Sequence, residues 1–156
     1  MLRCDEQIIS KGETYQSSLD ALVKIREAGL KSSVMILTGL GGRELSRQHA
    51  LNSAKLVSAG EPTYLSTLIL TFPLGKERFV SAFPSFTELS QVELLAETRL
   101  LIEATDLTKT IFRSDHASNY LPLKGVLGKD KPRLLREMDA ALAGRVALRP
   151  EWMRGL

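Results

Sequence analysis

The order of helix-like and strand-like segments constrains this chain more than any other feature of its sequence. A segment with helical apolar spacing precedes a β-prone run of strand length, and this order occurs three times. The runs predicted as strands are residues 33–38, 64–72 and 110–113. Connections of helix length join strands that run parallel. The sequence therefore predicts an α/β fold of about three parallel βα units.

Four segments have the apolar spacing of amphipathic helices. They are residues 15–28 followed by Gly29, residues 44–59, a helix that starts after Ser90, and a helix that opens at residues 129–132 and ends at Gly144. Ser90 and Glu93 have the Ser-x-x-Glu spacing of a capping box, and Pro132 suits the first turn of the last helix. Residues 76–88 are predicted as an irregular connection. The apolar run 33–38 predicts a strand that is buried on both faces.

Length and composition indicate one globular domain over residues 1–156, with residues 145–156 as a C-terminal tail. The chain has 156 residues, of which 44% are hydrophobic and 25% are charged. The only tryptophan, Trp152, lies in the tail and is predicted to pack back on the domain. No apolar run approaches the ~20 residues that span a bilayer, and the N terminus lacks an apolar signal segment. We therefore expect a cytoplasmic protein with no membrane partner.

Charge and cysteine content narrow the classes of function. The 21 basic residues stand against 18 acidic ones, for a net charge of +3, and both signs are interspersed. A nucleic-acid partner is therefore not expected. A single cysteine, Cys4, argues against an intrachain disulfide framework. His49 lies alone on a predicted helix, which favours a surface or packing role, and two histidines without a second ligand cluster predict no metal site.

A polar loop with varied side chains follows the third predicted strand. Its candidate binding residues are Arg113, Ser114, Asp115, His116, Ser118, Asn119 and Lys124. Function concentrates in loops that a rigid strand positions, which favours a substrate-binding role. Asp, Ser and Asn side chains also bond to the backbone in purely structural loops, and this second interpretation is equally well supported. No catalytic residue is assigned, because geometry rather than sequence proximity defines a catalytic triad.

A glycine-rich turn follows the first predicted strand. Gly39, Gly41 and Gly42 lie between this strand and the next helix, where backbone amides can approach an anion. The turn is not a complete GxGxxG motif, because Glu44 takes the last glycine position. The residues alone favour a tight turn over a ligand site. Parallel strands place their βα turns at one edge of a sheet, so we expect the glycine turn and the polar loop to share that edge.

The segment FRSDHASNYLPLKG at residues 112–125, followed by LGKDK at residues 127–131, resembles the C-terminal signature of radical S-adenosylmethionine (SAM) iron–sulfur oxidoreductases. Residues 34–42 are similar to the strand and glycine turn with which these enzymes contact SAM. The resemblance covers nearly the whole chain and implies half of a partial (β/α)6 TIM-like barrel. It also implies that Ile36, Gly39, Gly41 and Gly42 lie near SAM and that the polar loop lies on the substrate side.

The CxxxCxxC cluster motif of that family is absent from the chain, whose only cysteine is Cys4. The resemblance therefore implies the C-terminal half of such an enzyme. SAM and a [4Fe-4S] cluster are the cofactors of the full-length family, and we expect this chain alone to hold neither stably and to be inactive. The alternative is a self-sufficient small α/β module that binds an anion or a partner. An in-frame CxxxCxxC upstream of the Met1 codon distinguishes the enzyme fragment from this module.

Unpaired strand edges predict a homo-oligomer.

Overall fold

A four-stranded sheet lies at the centre of the computed structural model, which describes residues 12–154. Its strands are β1 (Ser33–Thr38), β2 (Tyr64–Ile69), β3 (Ile111–Arg113) and β4 (Lys124–Val126). They lie side by side in chain order, with β1, β2 and β3 parallel and β4 antiparallel to β3. The mixed α/β class and the three parallel strands are confirmed. Cys4 lies outside the described residues.

The strand β4 was not predicted, and β2 is shorter than its predicted range. β4 has three residues with Gly125 in the middle, and a glycine weakens the sequence pattern of a strand. β2 ends at Ile69, three residues before the predicted end at Phe72. The Leu70 amide still donates a hydrogen bond to the Thr38 carbonyl over 2.9 Å, and residues 71 and 72 lie outside the strand. Phe72 instead joins a cluster of aromatic rings.

Between residues 12 and 154 the chain forms five α-helices, and none of them is long and apolar enough to cross a membrane. They are α1 (Tyr15–Glu27), α2 (Gly42–Gly60), α3 (Lys76–Ala82), α4 (Gln91–Ala104) and α5 (Leu127–Leu142). The capping box of α4 is confirmed, because Ser90 accepts a hydrogen bond from the Glu93 amide and Glu93 accepts one from the Ser90 amide. The predicted irregular connection is wrong in part, since it contains α3.

The last helix begins at Leu127, earlier than its predicted start, so Pro132 lies within it rather than in its first turn. Two contacts fix this early start. The Val126 amide donates a hydrogen bond to the Asp130 carboxylate over 2.8 Å. The Gly128 amide donates one to the Thr108 carbonyl over 3.1 Å. The Asp130 side chain thus holds the chain entering α5 in place of a residue at the N-cap itself.

One face of the sheet packs against helices and forms the core. Ile36, Leu65 and Phe112 point to this face from the three parallel strands, and all are buried. They share one apolar cluster with side chains of α2, α4 and α5. Burial of these side chains is the main stabilising contribution to the fold, since each fully buried large apolar side chain is worth about 1.5–3 kcal/mol. The three long helices thus cover one face of the sheet.

The opposite face of the sheet is not covered by these helices. Because side chains alternate along a strand, the register assigns the other set of residues to this face. They are Ser33, Met35, Leu37, Tyr64, Ser66, Leu68, Ile111, Arg113, Lys124 and Val126. None of them is buried, and Met35 is 67% exposed. We call this surface the open face. The prediction that β1 is buried on both faces is therefore wrong.

The C-terminal tail is attached by arginines rather than by its tryptophan. Arg149 donates hydrogen bonds to the carbonyls of His116, Ala117 and Asn119. Trp152 lies on a short 3-10 turn, Glu151–Met153, and is 83% exposed. The prediction that Trp152 packs on the domain is wrong. Leu148 makes the apolar contact of the tail with the core instead, and the hydrogen bonds of Arg149 add to it.

Candidate functional site

The glycine turn and the polar loop lie at the carboxyl edge of the parallel strands. The turn follows the end of β1 directly. The loop after β3 extends along the end of β2, where Asn119 Nδ2 donates a hydrogen bond to the Thr67 carbonyl over 2.7 Å. The Ile69 amide donates one to Ser118 Oγ over 3.2 Å. The two segments therefore share one edge, as the parallel arrangement predicts.

The glycine turn is tightly packed by protein groups. The Arg43 amide at the start of α2 donates a hydrogen bond to the Thr87 carbonyl over 2.9 Å, and the Gly42 amide donates one to Gly39 over 3.0 Å. A Cβ at Gly42 would lie 2.9 Å from the Phe86 ring, and both Gly39 and Gly42 have positive φ. Close packing and positive φ thus explain why glycine occupies positions 39 and 42. The Gly42 and Arg43 amides are already hydrogen-bonded to protein carbonyls. Of the four residues predicted near SAM, Ile36 points to the helix-covered core instead of this edge.

A buried carboxylate, Glu97 of α4, holds the glycine turn. Its side chain is 1% exposed and accepts the Gly39 amide over 2.9 Å. Ser46 Oγ also donates to it, and His49 Nδ1 lies 3.0 Å from it. A buried carboxylate is tolerable only when it is paired and hydrogen-bonded, and these three groups of the glycine turn and α2 supply the partners. Sequence reasoning missed Glu97, although an acid between Leu94 and Leu101 on the apolar side of a helix was the available signal.

Three polar residues of the loop hold the loop together and attach it to β2. Ser114, Ser118 and Asn119 are buried. Ser114 accepts the Leu123 amide over 3.0 Å and donates to the Leu121 carbonyl over 2.9 Å. These contacts match the structural interpretation of the loop, and none of the three side chains is open to a ligand in this conformation.

Asp115 and His116 are exposed members of the same loop, and they do not form a triad with a serine. His116 Nδ1 accepts the Ser118 amide over 3.1 Å and lies 2.9 Å from Ser118 Oγ. Ser118 is 2% exposed and accepts the Ile69 amide, so its hydroxyl is inaccessible as a nucleophile. The His116 contact therefore orients the loop.

Arg113 and Lys124 lie apart from these loop residues. They are register partners on β3 and β4 and point to the open face. The Arg113 guanidinium lies 4.9 Å from the centre of the Tyr64 ring. Its Nε is buried and has no hydrogen-bond partner among the described residues. The structure thus divides the seven loop candidates between the carboxyl edge and the open face.

A cavity of about 330 Å³ opens at the carboxyl edge. Residues on its wall include Gly39, Phe72, Lys76, Phe86, Tyr120 and Arg154. Phe72 and Phe86 belong to a group of four phenylalanines, with Phe79 and Phe83, whose neighbouring ring centres are 4.9–6.2 Å apart. The cavity therefore has an aromatic side that suits a planar ligand group. Neither Gly41 nor Gly42 lines it.

The tail supplies two of the polar residues of the cavity wall, Glu151 and Arg154. Arg154 stacks on the Tyr120 ring at 4.1 Å and pairs with Glu151 over 2.6 Å. Tyr120 also donates a hydrogen bond from its hydroxyl to Glu151. Burial raises the pKa of Tyr120 above its ordinary value, and the bond to Glu151 raises it further. That bond, together with Arg154, lowers the pKa of Glu151. Sequence reasoning identified none of these three residues as site residues.

Within residues 12–154, no group of three or more His, Cys, Asp or Glu side chains has a geometry that could hold a metal ion. The part of the chain that the structure describes also contains no cysteine. These residues therefore do not fit an iron–sulfur cluster, which is held by several thiolates.

Comparison of the chain with protein-family models, with curated proteins and with solved structures found no match in any of the three.

Proposed function

We propose that this chain is the C-terminal part of a radical SAM iron–sulfur oxidoreductase. In this role the chain contributes part of the SAM pocket and the loop that faces the substrate, and it is inactive alone. The observation that carries the proposal is the arrangement of the sheet. Three parallel strands lie in chain order and their long helices cover one face only. Consecutive units of a (β/α) barrel share this arrangement of parallel strands and covering helices, which supports the proposal; in a barrel the second face of the strands points inward.

The cavity at the carboxyl edge supports the SAM part of the proposal. Ligands of parallel α/β folds bind at the carboxyl ends of the strands, and Gly39 at the end of β1 lines this cavity. SAM combines a planar adenine with a zwitterionic amino acid. The cavity combines the Phe72 and Phe86 rings with two cation–carboxylate pairs, Lys76 with Glu88 and Arg154 with Glu151. The chemistry of the walls thus suits both halves of SAM.

A SAM titration tests this proposal. We expect millimolar SAM to shift the backbone NMR signals of Gly39, Thr71 and Phe72, because these residues line the cavity. Phe72→Leu should weaken binding, whereas Phe79→Leu should not, since Phe79 packs in the same aromatic group without lining the cavity. Binding is expected to be weak, because the rest of the pocket and the cluster are not supplied by the described residues.

Three results would contradict the proposal. They are the absence of any SAM-dependent shift, equal effects of the two leucine variants, and a stable cluster with 5′-deoxyadenosine formation after anaerobic reconstitution with iron and sulfide. The last result would show that the chain is a complete enzyme rather than a part of one. We expect the reconstituted protein to remain colourless and to leave SAM intact.

We further propose that the chain forms a homo-oligomer through the exposed sheet edge at β1 or through the part of the open face beside it, around Met35, which lies at the other side of the sheet from β3 and β4. Burial of apolar surface is worth roughly 25 cal/mol per Å², so a few hundred Å² favour association by several kcal/mol before entropic costs. Light scattering at high protein concentration should therefore give a dimer, the commonest closed assembly. Met35→Lys on the open face should shift the protein toward monomer. Leu74→Lys is the control, because Leu74 is 90% exposed and lies outside the sheet. A wild-type monomer would refute this assembly.

A further inference from the structure

We infer that the open face of the sheet carries an oxyanion-binding site centred on Arg113 and Lys124. The register aligns one row of side chains across all four strands: Met35 of β1, Ser66 of β2, Arg113 of β3 and Lys124 of β4. Neighbouring strands are about 4.8 Å apart, so the last three members form a compact polar group. The row thus brings a hydroxyl, a guanidinium and an ammonium together on a face that the long helices leave uncovered.

The environment of Arg113 leaves its hydrogen-bonding capacity uncommitted. Its guanidinium lies over the Tyr64 ring at 4.9 Å, and among residues 12–154 its buried Nε has no hydrogen-bond partner and no ion pair involves it. A guanidinium has five donors in a fixed plane and binds carboxylate or phosphate oxygens in pairs. The contact with the Tyr64 ring restricts the side chain in advance, which lowers the entropic cost of binding an anion.

The pairing of Arg113 with Lys124 points to the same ligand chemistry. Residues directly opposite each other in an antiparallel pair have Cβ atoms about 5 Å apart, and like charges at such positions repel. Lys124, like Arg113, takes part in none of the ion pairs of the described residues. An anion between the two side chains converts this repulsion into two favourable interactions. The ligand class is therefore a small molecule with a carboxylate or phosphate group.

As a statement about substrate, this inference rests on the proposed function, in which Arg113 and Lys124 lie on the substrate side and their substrate is an oxyanion. The inference that an oxyanion binds between Arg113 and Lys124 does not depend on the proposed function. The experiment below contains no SAM, so the anion site and the SAM pocket can fail separately.

The test is an NMR titration of the whole chain with sodium phosphate and with sodium succinate, each against sodium chloride at equal ionic strength. We expect the Arg113 Nε–H signal to shift and saturate with at least one oxyanion. Comparison of the two salts shows whether phosphate or carboxylate binds more tightly. Arg113→Gln and Lys124→Gln should each raise the dissociation constant about tenfold. Arg136→Gln makes the same charge change on the exposed side of α5 and should leave it unchanged.

Lys124→Glu gives an independent reading if Arg113→Gln fails to fold. The new carboxylate stands opposite Arg113, so it should raise the melting temperature without added anion and abolish the response to phosphate and succinate. The inference is overturned if neither salt shifts the Arg113 signal more than chloride does, or if Lys124→Glu retains the response. It is also overturned if the signal follows protein concentration instead of anion concentration, because a carboxylate of a second copy then occupies the site.

Discussion

Replacement of Glu97 by alanine should reduce the free energy of unfolding by about 3 kcal/mol. The carboxylate is buried and accepts the Gly39 amide, and Ser46 and His49 also contact it. In the alanine variant the buried Gly39 amide loses its acceptor, and each buried donor left without a partner costs about 1–3 kcal/mol. Loss of the contacts to the two side chains adds to this cost. Urea unfolding followed by circular dichroism measures the change.

Glu103→Ala is the matched control for this measurement, because Glu103 lies on the same helix but is exposed. It pairs with Arg99 on the surface, and such a pair is worth about 0–1 kcal/mol. Glu97→Gln should fall between the two, since its amide oxygen can still accept the Gly39 amide. If Glu97→Ala costs no more than Glu103→Ala, Glu97 does not hold the turn. If Glu97→Gln costs as much as Glu97→Ala, the charge rather than the acceptor oxygen is what matters.

The strands β1 and β2 and the long helices of this fold could be predicted because their apolar patterns are long. The spacing in residues 15–28 and 44–59 persists over three or more turns, and the run 33–38 admits few alternatives to a strand. β4 could not be predicted, because three residues with a central glycine have almost no apolar or β-propensity pattern. The sequence pattern predicts a later start for α5, because Asp130, whose side chain holds the true start, lies inside the helix.

The open face could not be read from the sequence, because the strand β1 is apolar on both sides. Met35 and Ile36 are equally good core residues by composition, yet Met35 is 67% exposed and Ile36 is 9% exposed. Which face a helix covers is decided by the connections between strands rather than by the strand sequence. The sequence of the polar loop likewise does not show which of its side chains are buried. Ser118 and Arg113 are both candidate ligand residues in sequence. Only the folded structure shows that Ser118 is buried, and only the strand register shows that Arg113 points to the open face.

Replacement of Gly128 by alanine should also destabilise the protein by about 3 kcal/mol, which lowers the melting temperature by about 6–12 °C. Helix propensity alone predicts the opposite sign, a gain of up to about 1 kcal/mol, because Gly128 is an exposed helical residue. The reason for the loss is a close backbone contact. A Cβ at this position would lie 2.2 Å from the Thr108 carbonyl oxygen and 2.7 Å from its Cα.

The clash at Gly128 cannot be relieved by a side-chain rotation, because its partner is backbone. The Gly128 and Leu127 amides donate hydrogen bonds to the Thr108 and Thr110 carbonyls, so moving α5 away breaks the contacts that join it to the segment before β3. Gly144→Ala is the control: its φ of +70° makes alanine cost about 1 kcal/mol, while no atom lies within 4 Å of the new Cβ. Calorimetry of the two variants separates close approach from backbone strain. A Gly128→Ala protein as stable as wild type would mean that α5 does not approach Thr108 as closely as described, and that its early start at Leu127 is held by Asp130 alone.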